Sequence, residues 1–466
     1  MGELTCISPI DGSVFATKAT QSAGEVRAVV AAARTAQAAW ADTPLVERSK
    51  VITEALAALR SANDDIVVEL AHMMGRPVRY GGEIGGVEER GHHMVSIAED
   101  ALADDVIEES ASFVRYIARE PVGVVLVIAP WNYPYLTAVN TIVPALAAGN
   151  AVVLKHSTQT MLAADRFADA FATAGLPEGL FSTISVDHAT SSELIADRQF
   201  DFVNFTGSVG GGAAIEQAAA GTFTGLGLEL GGKDPGYVRA DAADDPTLFA
   251  AAVDTLVDAA MFNSGQCCCG IERIYVHESI FDRFVEAAVE IVNGYVLGDP
   301  LDPATTLGPM AHVRFAQLVR EQTAEAVTAG ATALIDPARF PRDNGTDAHL
   351  APQILVGVDH SMRVMREESF GPVVGSMLVS GDEEAIELMN DSDFGLTASL
   401  WTNDVAAART IGRRIETGTV FMNRADYLDP ALCWTGCKDT GRGASLSTLG
   451  YQAVTRPKSY HLKQLG

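Results

Sequence analysis

Apolar residues recur at helical spacing through the first hundred positions of the chain. From Gly24 to about Asp104, the series Val26, Val29, Val30 and Ala33, followed by Ile52, Leu56, Leu59 and Ile66, predicts a helical opening. From Phe113 the period changes, and β-branched runs at residues 122–128, 151–154, 181–184 and 200–205 predict short strands separated by helices. Strands alternating with helices imply a parallel, doubly wound sheet, whose ligands gather beyond the carboxyl ends of the strands. A second series follows from Pro235, with a helix-like stretch over 248–262 and strands expected at 273–276, 331–335, 373–379 and 398–401. A second α/β domain accounts for it most economically. Gly330, Gly345 and the Pro-containing stretch 336–342 read as loops, and neither internal repeats nor a low-complexity linker interrupts the pattern.

Composition narrows the class. A chain of 466 residues exceeds what one core usually organises, which agrees with two domains. Its longest continuous apolar stretch, 122–130, is about half of what a membrane span needs, and the N-terminus has no charged-then-apolar leader, so a cytoplasmic enzyme is expected. Sixty acidic against 33 basic residues leave a formal charge of -27, which repels phosphate backbones and anionic bilayers and argues against nucleic acid or membrane as partner. That excess reads as a solvated surface and names no substrate. Six cysteines, three of them consecutive, do not form an extracellular disulfide pattern. Neither the triplet nor the pair Cys433 and Cys437 has a histidine at zinc-like spacing, so no metal is expected.

Three segments carry candidate chemistry. Asn263-Ser264-Gly265-Gln266-Cys267-Cys268-Cys269-Gly270 is a small-residue turn that delivers thiols just after a helix. Leu228-Glu229-Leu230-Gly231-Gly232-Lys233 sets a carboxylate in an apolar run before a glycine pair, and Ala129-Pro130-Trp131-Asn132-Tyr133-Pro134 puts an amide at the end of an apolar strand. Each has a plain structural reading by itself. Free cysteine is common core filler, a buried glutamate is held by hydrogen bonds or by Lys233, and a Pro-rich turn is simply a turn. Together they supply a thiol nucleophile, a base and an oxyanion donor, the parts of an acyl-transfer site.

With these motifs, and with Pro144-Ala145-Leu146-Ala147-Ala148-Gly149-Asn150, Phe205-Thr206-Gly207-Ser208 and Glu368-Ser369-Phe370-Gly371-Pro372, the chain resembles the aldehyde dehydrogenase superfamily, non-acylating type, from Ser8-Pro9 to Lys458. The resemblance implies a Rossmann-type cofactor domain, an α/β catalytic domain and a β-ribbon for oligomerisation. The boundaries it suggests are 1–104 and 122–231 for the first, 232–449 for the second, and 105–121 with 450–466 for the ribbon, built on Arg115 to Arg119 and Ser459 to Leu462. It implies a homodimer or homotetramer. It casts Cys268 as nucleophile, Asn132 with the Cys268 backbone N–H as oxyanion hole, and Glu229 as the base for the deacylating water. Lys155, Ser157, Thr158, Trp131, Gly207, Ser208, Glu368 and Phe370 fall in motifs that bind NAD or NADP. The implied reaction oxidises an aldehyde to a carboxylic acid through a thiohemiacetal and a thioester. Transfer of the acyl group to coenzyme A is the nearest rival and a catalytically silent relative the next; Glu229 argues against the first, and its coexistence with Cys268 and Asn132 against the second.

The chain also departs from that family's pattern. The family's lysine is usually followed by proline and often by a downstream glutamate, where this chain has Lys155-His156-Ser157-Thr158. Thr158 therefore lacks the charge that would repel a 2′-phosphate, and NADP is expected to be accepted as well as NAD, unless Thr158 merely caps the following helix. Thr141 stands where a lysine is common, Gly210-Gly211-Gly212 replaces bulkier residues, and the segment from Glu229 to Cys268 is a few residues longer than usual. For the aldehyde, Thr137, Asn140, Phe262, Tyr427, Leu428 and Trp434 are candidate tunnel residues, against ordinary packing. Arg424 is a candidate for a substrate carboxylate, as in succinate semialdehyde, against a surface ion pair.

Overall fold

The computed structural model describes residues 2–465, and two largely parallel sheets organise it. The first has six strands in the order Gly441–Arg442, Gly225–Glu229, Phe202–Thr206, Val124–Ala129, Ala151–His156 and Phe181–Thr183, with the first antiparallel to the rest. Val124–Ala129 and Ala151–His156 are buried along their whole length, which explains why they read as unbroken apolar runs rather than as an alternation. Asn150, buried at the turn before one of them, accepts from Gly123 N at 2.9 Å and donates to the carbonyls of Ala145 and Val454, both at 3.0 Å. That one amide ties strand, helix end and C-terminal segment together, and it leaves no buried polar atom to pay for.

The second sheet has seven strands, ordered Thr332–Ala333, Gln353–Val356, Val373–Val379, Ile271–His277, Asp234–Val238, Thr397–Trp401 and Thr419–Met422, parallel except at the first edge. Every strand expected from the sequence is present, with ends shifted by a few residues. In this sheet three were not expected: Asp234–Val238, Gln353–Val356 and Thr419–Met422. Helices cover the opening of the chain, beginning at Ala23–Ala41, where Ser22 and Glu25 form a reciprocal N-terminal cap. Ahead of them, Glu3–Ile7 and Val14–Ala19 pair as a hairpin.

A third, antiparallel sheet joins Asp105–Glu109, Phe113–Pro121 and Thr455–Lys463, with Ser459 opposite Ile117 and His461 opposite Arg115. Val106 and Ile107 on its edge strand and Leu462 on the opposite one stand exposed. Among the described residues no helix is long and apolar enough to cross a membrane.

Candidate active site

Four neighbouring strands of the six-stranded sheet finish on one edge, and each end carries a group singled out in the sequence. Val124–Ala129 runs into Trp131 and Asn132; Ala151–His156 holds Lys155 and leads to Ser157 and Thr158; Phe202–Thr206 leads to Gly207 and Ser208; Gly225–Glu229 ends on Glu229 itself. Side chains distant in sequence thus meet because parallel strands point their carboxyl ends the same way.

The thiols arrive from the other sheet's connections. Helix Pro246–Met261 ends in a turn where Asn263 and Ser264 take left-handed backbone angles, φ 55 for both. Gly265 follows at φ +70, and a Cβ on it would meet the carbonyl carbon of Gly371 at 2.2 Å, so only glycine fits the crossing of the two loops. Asn263 Nδ2 donates to the carbonyls of Gln266 at 3.1 Å and Asn132 at 3.3 Å, which fastens the cysteine turn to the Asn132 turn. Arg76 Nη2 donates to the same Asn132 carbonyl at 2.6 Å, while its Nη1 pairs with Glu83 at 2.7 Å. Glu83 in turn accepts from Tyr135 N and Leu136 N and so caps helix Pro134–Ala147. The hydrogen bonds that fix Asn132 run to its carbonyl, not to its side-chain amide.

Of the triplet, Cys267 and Cys269 are 4% and 2% exposed, and Cys268 alone is half-open. It faces a cavity of about 260 Å³ that Glu229 and Thr206 also line. The thiols of Cys267 and Cys269 favour the Cys268 thiolate and hold its titration below the ordinary thiol range, against burial and the carboxylates of Asp426 and Glu368. Burial pushes the Glu229 carboxyl above its usual range, offset in part by a hydrogen bond from Thr206 Oγ1 at 3.3 Å. Lys233, the alternative holder of Glu229, is engaged elsewhere: its ammonium pairs with Glu272 and donates to Ser369 Oγ at 3.1 Å. Glu272 also accepts from Ser369 N and Phe370 N, and so positions the Glu368 segment.

Thr137, Asn140, Phe262, Tyr427, Leu428 and Trp434 all line this cavity. Arg424 does not. It is exposed, forms no surface ion pair among the described residues, and lays its guanidinium 3.5 Å from the centre of the Tyr427 ring. The cation in the wall is Arg90, buried on helix Ile84–Ser96, which donates to Leu136 O at 2.9 Å and Asn140 Oδ1 at 3.3 Å. Asp426, also in the wall, accepts from Cys269 Sγ at 3.0 Å and Cys267 Sγ at 3.4 Å. Sequence reading missed Arg76, Glu83, Arg90 and Asp426. A signal for Arg90 existed, since Val87, Arg90, Gly91 and Met94 share the buried face of their helix and an arginine there needs a reason.

Around the strand ends, the residues present suit a dinucleotide. Lys155 is buried, and no hydrogen bond or ion pair engages its ammonium among the described residues; desolvation lowers its affinity for a proton, which an anionic or hydroxyl-rich ligand would restore. Glu368 accepts from Gly232 N at 3.0 Å, and burial beside Glu272 pushes its carboxyl up to about 8. Gly210-Gly211-Gly212 is not a loose loop but the first turn of helix Val209–Ala219, capped by Ser208. A Cβ on Gly207 or Gly211 would strike the Phe205 ring at 2.7 and 2.5 Å, and one on Gly212 would strike Leu230 at 2.6 Å, so these glycines allow close packing at the start of the helix. Trp131 stacks on Phe315 at 5.1 Å and meets the edge of Phe370 at 5.4 Å. The helix cap, the alternative role for Thr158, belongs to Ser157, whose Oγ accepts from Gln159 N at 3.3 Å. In place of the family's proline, His156 links strand and helix: Nε2 meets Pro134 O at 3.1 Å and Nδ1 meets Thr160 Oγ1 at 3.2 Å, and burial takes its titration down to about 4, so it stays neutral.

The aldehyde dehydrogenase family model matches residues 2–460. The chain is 36% identical over 463 residues to an aldehyde dehydrogenase of Paenarthrobacter nicotinovorans, covering 98% of this chain and 99% of that one. It is 32% identical to an NADP-dependent succinate-semialdehyde dehydrogenase of Mycobacterium avium, over 98% of this chain and 96% of the other. An NAD-dependent aldehyde dehydrogenase from Sinorhizobium meliloti superposes with a TM-score of 0.93 at 32% identity, covering 99% of this chain and 92% of that one.

Proposed function

Since the chain belongs to the aldehyde dehydrogenase family, and so oxidises an aldehyde to a carboxylic acid with NAD or NADP, we propose that Cys268, Glu229 and Asn132 carry that reaction. The observation that carries the reading is one cavity lined by both the half-open thiol of Cys268 and the half-buried carboxylate of Glu229. Cys268 attacks the carbonyl carbon, and the Asn132 amide with the Cys268 backbone N–H stabilises the thiohemiacetal oxygen; each such donor is worth about 3 kcal/mol in the transition state. When bound, the nicotinamide supplies a two-electron acceptor for the thiohemiacetal carbon. Glu229 then takes a proton from the water that releases the acid from the Cys268 thioester. Lys155, Ser157 and Thr158 hold the adenosine end of the cofactor, Gly207 and Ser208 its phosphates, and Trp131, Glu368 and Phe370 its nicotinamide side.

In this reading, residues 1–104 and 122–231 bind the cofactor, 232–449 complete the catalytic half, and 105–121 with 450–466 pair subunits into a homodimer or homotetramer through the exposed ribbon edge, in the cytoplasm.

The aldehyde we infer is a small one that carries a carboxylate, such as succinate semialdehyde. Arg90 supports this as the cation of the cavity wall, while burial and the Cys267 sulfur hold the carboxyl of Asp426, in the same wall, well above its usual range and so disfavour a competing negative charge there. The semialdehyde-oxidising relative is consistent with it. The test is kcat/KM across aliphatic, aromatic, amino and carboxylated aldehydes with both cofactors. Arg90→Gln is expected to lower kcat/KM for the carboxylated aldehydes by roughly 10- to 100-fold, the worth of a charge-assisted hydrogen bond, while uncharged aldehydes of similar length change little. An equal loss for both classes would make Arg90 a packing residue and remove the substrate assignment.

On the cofactor side, the Thr158 hydroxyl makes no hydrogen bond among the described residues and is half-buried beside Lys155, with room to donate to a 2′-phosphate. A glutamate there would set two anions about 4 Å apart, at a cost of about 1 kcal/mol in water and about 4 kcal/mol at a protein-surface dielectric. Thr158→Glu should therefore depress NADP use 10-fold or more and leave NAD use nearly intact. A wild type that excludes NADP, or a variant with an unchanged cofactor ratio, would place Thr158 away from the 2′ position.

A further inference from the structure

Besides tuning the Cys268 thiol, Cys267 and Cys269 meet Asp426 in a cluster that forms no bond to the substrate in aldehyde oxidation. They are two buried thiols and a half-buried carboxylate, brought from positions 157 and 159 residues apart to one point of the cavity wall. Their sulfur and oxygen atoms are 3.5, 3.4 and 3.0 Å from one another. A zinc ion with bonds of about 2.3 Å to sulfur and about 2.0 Å to oxygen would, in a tetrahedron, separate two sulfurs by about 3.8 Å and a sulfur from an oxygen by about 3.5 Å. The three donors already stand within a few tenths of an ångström of those edges. Small outward movements would seat the ion, and its fourth position would open into the cavity. Charge favours the same occupant: two thiolates and a carboxylate around a dication leave a net charge of -1, and Arg90, electrostatically coupled to both Cys269 and Asp426, supplies the compensating cation. Thiolate donors select soft or borderline ions over magnesium or calcium. The sequence hid this triad because its third ligand is neither a histidine nor near the cysteines in the chain.

We propose that Cys267, Cys269 and Asp426 form a binding site for a thiophilic divalent cation, Zn²⁺ or Cd²⁺, and that its occupation closes the cavity to aldehyde. The second half rests on the reading of this cavity as the substrate site; the first does not. Metal-free full-length enzyme is titrated with Cd²⁺ alone, following the ultraviolet charge-transfer absorbance of cadmium–thiolate bonds, with the bound metal counted after equilibrium dialysis. One Cd²⁺ per chain is expected, with the same absorbance in wild type and in Cys268→Ala, while Cys267→Ala, Cys269→Ala and Asp426→Asn each weaken binding at least 10-fold. No stoichiometric binding, or an absorbance that vanishes in Cys268→Ala and survives in Cys269→Ala, overturns the site. Should the cluster variants misfold by circular dichroism, zinc X-ray absorption on wild type decides alone: two sulfur neighbours near 2.3 Å support the site, and fewer than two reject it. Turnover should fall in proportion to occupancy; full activity at one bound metal per chain rejects closure while leaving the site standing.

Discussion

Cys268→Ala is expected to abolish dehydrogenase turnover and any accompanying esterase activity, a loss on the order of 10⁴-fold or more, as removal of a covalent nucleophile produces. Cys267→Ala and Cys269→Ala should keep most of the activity. The contrast comes from geometry. Three thiols follow one another, but the two outer sulfurs are buried against Asp426. Of the three cysteines that line the space an aldehyde would enter, Cys268 alone is half-open. The outer thiols also lower the titration of Cys268, so their variants should show a pH profile displaced upward in place of a collapse. Mass spectrometry of the trapped acyl-enzyme locates the thioester directly, and an acyl group on Cys267 or Cys269 would reverse the assignment.

The parts of the molecule that were legible in the sequence share a physical cause. Fully buried parallel strands such as Val124–Ala129 announce themselves as β-branched runs, and motifs at strand ends concentrate the residues that meet a ligand. Asp234–Val238 was hidden because Asp-Pro-Gly reads as a turn; Gly236 is there because a Cβ would lie 2.6 Å from Leu256, a tertiary reason with no local trace. Gly225–Glu229 was missed likewise, since its glycines make room for Phe202 and Asn204 on the adjoining strand. In the site, the reacting groups were readable and their supports were not. Arg76 and Glu83 act through a carbonyl and two backbone N–H groups 52 to 56 positions onward, and Asp426 reaches its cysteines from a backbone at φ 48. Such partners are specified by the fold, so a linear pattern carries little record of them.

Glu229→Gln should preserve the first turnover and stall the second. The glutamine keeps the size of the side chain and its hydrogen bond with Thr206, so the cavity holds its shape and the thiohemiacetal forms on Cys268 as before. What it lacks is the ability to accept a proton from water, and general-base removal costs roughly 10²- to 10⁴-fold in the step that uses it. Rapid mixing should therefore show a burst of about one reduced cofactor per site, followed by turnover slowed by that factor, with acyl-enzyme accumulating on Cys268. The pH profile gives a second, independent sign. Burial raises the Glu229 carboxyl, so in wild type the base is lost as pH falls through a value above the ordinary glutamate range, and deacylation should decline on that acid limb. In the glutamine variant the limb should disappear from the slow phase, because nothing at position 229 remains to titrate. Should the burst itself slow by the same factor as turnover, Glu229 acts before the thioester forms, and its work is to draw the proton from Cys268; Lys233, held by Glu272 and Ser369, is not placed to take over either task.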